Sequence, residues 1–411
     1  MLVNINIVTN NRRVIMNKKT FKDIDVKNKK VLVRADFNVP LDEMGNIVDD
    51  TRIKASLPTI LYLIKHGAKV ILCSHLGRPD GMVNPKLSLE PVSKRLSELL
   101  GQEVLMASDV IGDSAKELSA NLKPGQVMLL ENVRFHKEEE ENDSRFAGEL
   151  ASLAEIYVND AFGTAHRAHA STAGVACYLP AVAGFLMSSE IVALSKVMDN
   201  PARPFVVILG GAKISDKIGI IGKLLLKANT ILIGGAMANT FLAAKGGKLG
   251  LSRYEKDKIA VANKILDEAD KKNVKIVIPK DVIVAKEFAP NSKTKCVNAL
   301  SIPDGYQALD IGPKTLKAFK KEIMNAQTIV WNGPMGVYEF AKFKKGTMKI
   351  AKYVAKSKAV SVVGGGDSVS SVNESGYADK INHISTGGGA TLKFLEGANM
   401  PGIEMLLDKE D

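Results

Sequence analysis

Two lysines follow a glycine turn near the middle of the chain, in the sequence FVVILGGAKISDKI. The apolar run Phe205–Leu209 predicts a buried strand, and Gly210-Gly211 predicts a sharp turn into a helix. Lys213 and Lys217 would then lie in the first helical turns, where the helix dipole is positive and disfavours cations. Two solvated lysines on a surface helix are one interpretation. A phosphate group bound between them is the other, and the glycine turn favours it.

A second set of cations consists of arginines in the first half of the chain. Nine of the eleven arginines precede residue 200, and five of these stand in motif-like segments: Arg34, Arg52, Arg78, Arg134 and Arg167. The guanidinium group binds phosphate and carboxylate in a planar, bidentate way. One such arginine would be interpreted as a surface residue. Four or five on successive loops at one edge of a sheet predict a pocket for a small, multiply charged anion.

Other polar residues occur in the same segments. VLVRADFNVP brings Asp36 and Asn38 out of a predicted strand, and SHLGRP brings His75 next to Arg78. The histidines show no HExxH or other metal-ligand spacing, so they are interpreted as surface or hydrogen-bonded groups. The acidic run Glu138–Glu141 is interpreted as a solvated loop. The three cysteines form no CxxC pair and are interpreted as buried thiols.

Two more glycine-rich turns in the second half offer backbone N–H groups to an anion. In VVGGGDS, Asp367 supplies a hard oxygen for Mg²⁺ and Ser368 is a predicted cap of the following helix, while in STGGGATLKFL the glycines Gly387–Gly389 open another helix. Any one of these turns could simply join a strand to a helix. Three in one half of the chain favour a nucleotide phosphate site. A GxxxxGK[ST] P-loop and a GxGxxG dinucleotide fingerprint are both missing.

The elements that must position these groups alternate along the chain. Strand-like runs and amphipathic helices follow one another from Lys30, and again from Phe205. This alternation predicts an α/β fold with two doubly wound parallel-sheet (Rossmann-like) domains, in which the loop after each strand lies at the ligand-binding edge. Asn200–Pro204, with two prolines, is the predicted boundary.

Composition and charge limit the class of protein. The 411 residues, 45% hydrophobic and 25% charged, suffice for two domains, and no apolar run is long enough for a membrane span or a signal peptide, which predicts a cytoplasmic protein with no membrane partner. Residues 1–200 carry a net charge of −1 and residues 201–411 carry +12. A non-enzymatic polyanion-binding protein is therefore an alternative. Nucleic-acid binding is not expected, because the lysines are dispersed and lack interleaved aromatic residues.

Taken in order, the motifs resemble those of the phosphoglycerate kinase family. They are RADFNVP, SHLGRP, ENVRFH, NDAFGTAHRAHAS, GGAKISDK, WNGPMGVYE, GGGDS and STGGGAT, and the resemblance runs from about Met16 to the C-terminus. It implies a monomer whose two domains are separated by a hinged cleft, and reversible phosphoryl transfer between MgATP and the carboxylate of 3-phosphoglycerate in glycolysis and gluconeogenesis. The implied parts are an extension of uncertain status (1–16), a 3-phosphoglycerate domain (17–187), a helix and linker (188–204), a nucleotide domain (205–399) and a segment returning to the first domain (400–411).

The resemblance also implies roles for individual residues. Those implied for substrate binding are Asp36, Asn38, Arg52, His75, Arg78, Arg134 and Arg167. Those implied for nucleotide binding are Lys213, Lys217, Asn332, Glu339, Gly365, Gly366, Asp367 and Ser368, with Asp367 as the Mg²⁺ ligand. The residues implied at the transferring phosphoryl group are Arg52, Lys213, Gly388 and Gly389.

The chemistry of this family agrees with the residue types. A carboxylate with a pKa near about 4 is ionised at neutral pH, so it can attack a phosphoryl group without a general base. We therefore expect no catalytic histidine or carboxylate base. Catalysis then depends on positioning and on neutralising the charge of the transferring group. A doubly wound dehydrogenase is disfavoured, because its glycine fingerprint is missing.

Overall fold

The structure is a computed structural model that describes residues 17–409, so the predicted extension 1–16 lies outside the described residues. The chain divides into two units: the first runs to Val192 and resumes at Ala398, and the second spans Ala193–Gly397. A six-stranded sheet of parallel strands forms the centre of each unit. The predicted α/β class with two doubly wound parallel-sheet domains is therefore confirmed.

The first unit alternates strands with helices. Its strands are β1 (Lys30–Arg34), β2 (Lys69–Cys73), β3 (Val104–Met106), β4 (Val127–Leu129), β5 (Ile156–Asn159) and β6 (Ala181–Ala183). Its helices are α1 (Thr51–Lys65), α2 (Glu90–Leu100), α3 (Asp113–Asn121), α4 (Lys137–Glu141) and α5 (Ser144–Ala151), followed by α6 (Phe185–Asp199), which contains the boundary with the second unit. The chain returns to this unit with α14 (Pro401–Glu404).

The strand order of this sheet is β3-β4-β2-β1-β5-β6. β1 and β2 carry continuous apolar runs, and both are buried over most of their length, as expected of parallel strands covered on both faces. Arg34, at the end of β1, is in register with Cys73 on one side and with Asn159 on the other. The loops after β1, β2 and β5 therefore leave the sheet side by side.

The second unit has more strands than the first. These are β7 (Phe205–Leu209), β8 (Thr230–Ile233), β9 (Lys248–Leu249), β10 (Lys275–Val277), β11 (Asp281–Ala285), β12 (Thr294–Asn298), β13 (Ser301–Ile302), β14 (Gln307–Ile311), β15 (Thr328–Asn332), β16 (Val360–Gly364) and β17 (His383–Ile384). The helices are α7 (Ile218–Leu224), α8 (Met237–Ala244), α9 (Ile259–Lys271), α10 (Pro313–Asn325), α11 (Lys345–Lys356), α12 (Gly366–Glu374) and α13 (Gly389–Glu396). The parallel sheet has the order β10-β8-β7-β15-β16-β17.

A three-stranded antiparallel sheet, β12-β11-β14, follows β10 in the sequence of the second unit. It was not expected from the sequence. β12 is mostly exposed, so its residues form no apolar run that would indicate a strand. Asp281 at the start of β11 joins this sheet to α10, because its carboxylate accepts hydrogen bonds from the backbone N–H groups of Lys314 (3.0 Å) and Thr315 (2.8 Å). No helix within residues 17–409 has the length and apolar character of a membrane span.

The three cysteines differ in exposure. Cys73, at the end of β2, is buried, and burial raises the pKa of its thiol to about 12. Cys177 and Cys296 are exposed, so the interpretation of all three as buried thiols is wrong for these two. Cys177 ends a surface 3-10 turn and Cys296 lies on the exposed strand β12, two locations that the sequence did not indicate.

Thiol titration should reflect this difference. Two thiols are expected to react with Ellman's reagent in the folded protein, because the thiolate is the nucleophile and only Cys177 and Cys296 are exposed. The third is expected to react after unfolding in guanidinium chloride. The measurement is the number of equivalents released before and after denaturant is added. Release of all three at one rate from the folded protein would contradict the buried position of Cys73.

Candidate active site

Four loops bring most of the predicted cations of the first unit to one edge of its sheet. The loops follow β1, β2, β4 and β5, which are neighbours in the sheet. They carry Asp36, Asn38, His75, Arg78, Arg134 and Arg167. Arg52 joins them from the first turn of α1. The order of strands therefore assembles residues that are far apart in the sequence.

Arg52 is held at this edge by Asp36. Its Nη1 donates a hydrogen bond to Asp36 Oδ2 at 2.7 Å, and the Asp36 side chain is buried while that of Arg52 is about 38% exposed. Asp50 occupies the N-cap position of α1 but makes no side-chain cap; its carboxylate instead pairs with Arg95. The bond to Asp36 uses one of the three guanidinium nitrogens, and the exposed part of the group faces solvent where an anion can reach it.

Hydrogen bonds around Gly77 fix three of the loops against one another. Asn38 Oδ1 accepts a bond from Gly77 N, and Arg134 Nη1 donates to Gly77 O, both at 2.9 Å. Gly77 has a φ of 64°, and a Cβ atom there would lie 2.8 Å from Leu87. The dihedral angle favours glycine, and a side chain there would also displace Leu87.

The positive charges of this site act on two histidines. Burial lowers the pKa of His75 well below its usual value, and nearby arginines lower it further. These are Arg34, Arg134, Arg167 and Arg52. Burial also lowers the pKa of His169 to about 4, again with arginine charges adding to the effect. Both imidazoles are therefore neutral at pH 7, and the positive potential comes from the guanidinium groups.

Arg78 and Arg167 are less buried than Arg134. Arg78 lies three residues after His75 on the same loop, and its side chain is exposed. Arg167 is half-buried on the loop after β5, and its Nε lies 3.3 Å from His166 Nε2. Arg134 is buried, and its Nε lies 3.0 Å from Glu140. The site thus combines buried, positioned arginines with more exposed ones.

Two buried residues of this edge were not assigned an individual substrate-binding role from the sequence. Arg34 is about 1% exposed and lies between His75 and Ser171, with Nη2 3.1 Å from His75 Nδ1 and Nε donating to Ser171 Oγ at 2.8 Å. Glu139 is fully buried in α4, so the interpretation of Glu138–Glu141 as a solvated loop is wrong for this residue. The available signal was electrostatic, because a buried cluster of arginines requires a counter-charge.

In the second unit, the candidate residues lie at the carboxyl ends of β7, β15 and β16. Asn332, the last residue of β15, is in register with Leu209 and with Gly364. The turns after β7 and β15 touch, since a Cβ on Gly210 would lie 2.0 Å from Pro334 O and one on Gly333 would lie 2.3 Å from Gly210 O. The glycines of GGAK and WNGP are therefore needed for close approach of two backbones.

The helix after GGAK begins later than predicted. A 3-10 turn covers Ser215–Lys217, and α7 begins at Ile218. Lys213 is consequently an exposed loop residue, while Lys217 is buried. The prediction that both lysines lie in the first helical turns is wrong.

Glu255 binds the segment that was expected to be helical. Its Oε2 accepts hydrogen bonds from Ile214 N at 2.6 Å and Ser215 N at 3.1 Å, and its Oε1 accepts one from Ser215 Oγ at 2.6 Å. These bonds satisfy backbone donors of the turn. Glu255 is 40 residues away from Ser215 in the sequence, so no local pattern could indicate this contact.

Lys217 and Asn332 form a buried pair. Lys217 Nζ donates to Asn332 Oδ1 at 2.6 Å, and burial lowers the pKa of Lys217. Asn332 Nδ2 is buried and has no hydrogen-bond partner among the residues that the structure describes. A buried ammonium and an unpaired amide N–H both favour an anionic acceptor, and a phosphate oxygen supplies one.

The helices α12 and α13 both begin without a side-chain cap. Their N-cap residues, Gly365 with φ 91° and Gly388 with φ 52°, cannot supply one, which leaves the first N–H groups of α12 and that of Gly389 in α13 for a ligand, while Ala390 N is bonded to Gly387 O. Ser368 was predicted to cap α12, which is wrong: its Oγ accepts a bond from Gly333 N at 2.7 Å. Ser368 therefore connects the WNGP loop to α12.

A cavity of about 440 Å³ adjoins these turns. Ala212, Leu309, Val337, Glu339 and Asp367 are among its lining residues, and most of its wall is apolar, as expected of a site for a base and a ribose. Burial and the negative charge of Glu339 raise the pKa of Asp367. A cation bound at Asp367 would relieve this repulsion.

The donor set at Asp367 fits Mg²⁺ bound together with phosphates. Within residues 17–409, no group of three or more His, Cys, Asp or Glu side chains is arranged to hold a metal ion. Mg²⁺ commonly binds through one or two carboxylates, substrate phosphates and water. A single carboxylate beside helix N-termini that can hold phosphates satisfies this requirement.

Comparisons with known proteins agree on one family. Residues 21–398 match the family model described as "Phosphoglycerate kinase". The chain is 54% identical to the phosphoglycerate kinase of Moorella thermoacetica, over 96% of this chain and 100% of that protein, and 55% identical to that of Koribacter versatilis with the same coverage. Among solved structures, the phosphoglycerate kinases of Coxiella burnetii (42% identity, TM-score 0.86) and Pyrococcus horikoshii (36%, TM-score 0.83) each cover 94% of this chain and 98% of their own.

Proposed function

Because the chain belongs to the phosphoglycerate kinase family and is a phosphotransferase of glycolysis and gluconeogenesis, we propose how its residues transfer a phosphoryl group between ATP and the carboxylate of 3-phosphoglycerate. The products of the forward reaction are ADP and 1,3-bisphosphoglycerate. The observation that carries the proposal is the presence of two anion sites of different character: an arginine cluster around neutral His75 and a set of open helix N-termini around Lys217.

The first unit binds 3-phosphoglycerate. Asp36 and Asn38 hold the hydroxyl and carboxyl end of the substrate, and four cationic or neutral donors hold its existing phosphate. These are His75, Arg78, Arg134 and Arg167. The support is their position on four adjacent loops and the nearby arginine charges, which add to burial in lowering the pKa values of His75 and His169. Arg52 lies nearest to the transferring group.

The second unit binds the nucleotide. Lys217 and Asn332 contact its phosphates, Glu339 binds the ribose, and the remaining contacts come from the turn at the start of α12. These are Gly365, Gly366, Asp367 and Ser368. Lys213, exposed on the loop before α7, accompanies the phosphoryl group in transit with the amides of Gly388 and Gly389.

Mg²⁺ is the proposed cofactor, and Asp367 is its protein ligand. When bound, it neutralises negative charge on the nucleotide phosphates. The other contributions come from the chain: Arg52 and Lys213 donate to the equatorial oxygens of the transferring group, and the substrate carboxylate attacks as an anion. No residue has to remove a proton in this scheme.

The functional parts that we propose are those of the resemblance: residues 17–187 for 3-phosphoglycerate, 205–399 for the nucleotide, and 188–204 as the flexing connection. Reacting atoms must approach to about 3–3.5 Å, so substrates held by different domains require closure before transfer. Closure also excludes water, which would hydrolyse the acyl phosphate. We propose a monomer that acts in the cytoplasm, where both substrates are metabolic intermediates, and that requires neither nucleic acid nor membrane.

Removal of Mg²⁺ tests the cofactor assignment. Turnover of ATP with 3-phosphoglycerate is expected to fall to background in excess EDTA and to return when Mg²⁺ exceeds the chelator, because uncompensated phosphate charge opposes attack by a carboxylate. Binding of 3-phosphoglycerate, measured by calorimetry, is expected to be the same with and without EDTA. Full turnover in EDTA would contradict the assignment of Mg²⁺.

A further inference from the structure

A buried chain of polar groups runs from helix α4 to His75. Glu139 Oε1 accepts from Ser171 Oγ at 2.6 Å, and Glu139 Oε2 accepts from Ser171 N at 2.8 Å. Ser171 Oγ in turn accepts from Arg34 Nε at 2.8 Å, and Arg34 Nη2 lies 3.1 Å from His75 Nδ1. All four side chains are at most about 4% exposed.

The direction of every hydrogen bond in this chain is determined by chemistry. A guanidinium group only donates, so His75 Nδ1 must be the acceptor and cannot carry a proton. A neutral imidazole with an unprotonated Nδ1 has its proton on Nε2. At the other end, the single hydroxyl proton of Ser171 is given to Glu139, because the Ser171 oxygen receives the bond from Arg34.

We propose that Glu139 is a positioning residue for 3-phosphoglycerate, which acts through Ser171 and Arg34 to present His75 as an Nε2–H donor to the substrate phosphate. This inference rests on the proposed role of His75 as a substrate ligand. Without the chain, a buried neutral histidine could adopt either tautomer, and one of the two would direct a lone pair at the anion. The chain also orients the buried Arg34 guanidinium.

The charge of Glu139 is as important as its hydrogen bonds. Arg34 is buried beside other arginines, and a buried cation without a counter-charge is strongly unfavourable. The adjacent Glu140 lies 3.0 Å from Arg134 Nε, so successive residues of α4 supply carboxylates to two buried arginines. Glu141, in the same helix, is exposed and provides a matched control of equal charge.

The first measurement is the tautomer of His75 in the full-length protein without substrate. Long-range ¹H–¹⁵N spectra of protein labelled at histidine, with the His75 signals assigned by their loss in His75→Gln, are expected to show a protonated Nε2 and an unprotonated Nδ1 near pH 7. In Ser171→Ala, which removes no charge but removes the acceptor that holds Arg34 Nε, Arg34 is no longer oriented towards His75 Nδ1 and a mixture of tautomers is expected. A His75 protonated at Nδ1 in the parent protein would overturn the proposal.

The second measurement is the steady-state kinetics of Glu139→Gln beside Glu141→Gln. Glu139→Gln is expected to raise the KM for 3-phosphoglycerate about tenfold or more, because disturbing a buried, charge-assisted hydrogen bond costs free energy on this scale. The KM for MgATP is expected to stay within about twofold of the parent value. Glu141→Gln is expected to match the parent enzyme.

Should Glu139→Gln fail to fold, Ser171→Ala tests the same split between the two KM values. Equal changes in the two KM values, or no change in Glu139→Gln and in Ser171→Ala, would overturn the proposal. A parent protein with the expected tautomer and no affinity for 3-phosphoglycerate would refute only the proposed function.

Discussion

Replacement of Arg52 by alanine is expected to lower kcat by a factor of about 100 to 1,000, the range observed when one donor to a developing transition-state charge is removed. Arg52 lies at the start of α1, where the helix dipole adds to its positive charge, and it is held there by Asp36. The effect should fall on kcat more than on the KM for either substrate, because the proposed contact forms with the transferring group.

Arg95→Ala is the matched control for Arg52→Ala. Arg95 is also an arginine of the first unit and pairs with Asp50 and Glu98, without any role in the proposed site. It is expected to keep kcat within about twofold of the parent. Thermal unfolding of both variants separates a loss of catalysis from a loss of folding, since Arg52→Ala leaves Asp36 without its ion-pair partner. A folded Arg52→Ala enzyme with full kcat would contradict the role of Arg52.

Replacement of Asp367 by alanine is expected to weaken binding of MgADP about 10- to 100-fold and to leave 3-phosphoglycerate binding unchanged. Asp367 is the proposed Mg²⁺ ligand, and its carboxylate is already raised in pKa by burial and by Glu339. In the absence of metal, removal of this negative charge should instead favour binding of free ADP or leave it unchanged. The measurement is calorimetric titration with ADP, with and without Mg²⁺, and with 3-phosphoglycerate.

Asp379→Ala provides the control for Asp367→Ala, because Asp379 is an exposed aspartate of the same unit outside the proposed site. Its MgADP affinity is expected to equal that of the parent. Equal losses of MgADP and 3-phosphoglycerate affinity in Asp367→Ala would argue against the assignment of the two substrates to different parts of the chain.

The parallel sheets could be predicted because their strands are short apolar runs bounded by glycine and polar residues. The predicted strand Phe205–Leu209 has the same bounds in the structure. The candidate ligands lie on the loops that follow these strands. Such loops lie together, because the carboxyl ends of parallel strands meet at one edge of the sheet. His75 and Arg134 each follow a strand, so they could be predicted at one edge without knowledge of the strand order.

The predictions that are wrong depend on contacts between residues that lie far apart in the sequence. The turn before α7 is held by Glu255, which accepts bonds from the backbone N–H groups of Ile214 and Ser215. Burial of Glu139 depends on Ser171, 32 residues away, and the unexpected bond of Ser368 depends on Gly333. Each local pattern was compatible with a surface charge or a helix cap, and only tertiary packing decided between these alternatives.

The central claim is that the arginine cluster and the open helix N-termini act on one phosphoryl group. The most direct measurement is turnover by the purified protein given MgATP and 3-phosphoglycerate, followed by coupling 1,3-bisphosphoglycerate formation to its reduction. We predict saturable turnover that requires both substrates and is lowered about 100- to 1,000-fold by Arg52→Ala. Folded protein that produces no 1,3-bisphosphoglycerate from this pair would contradict the claim.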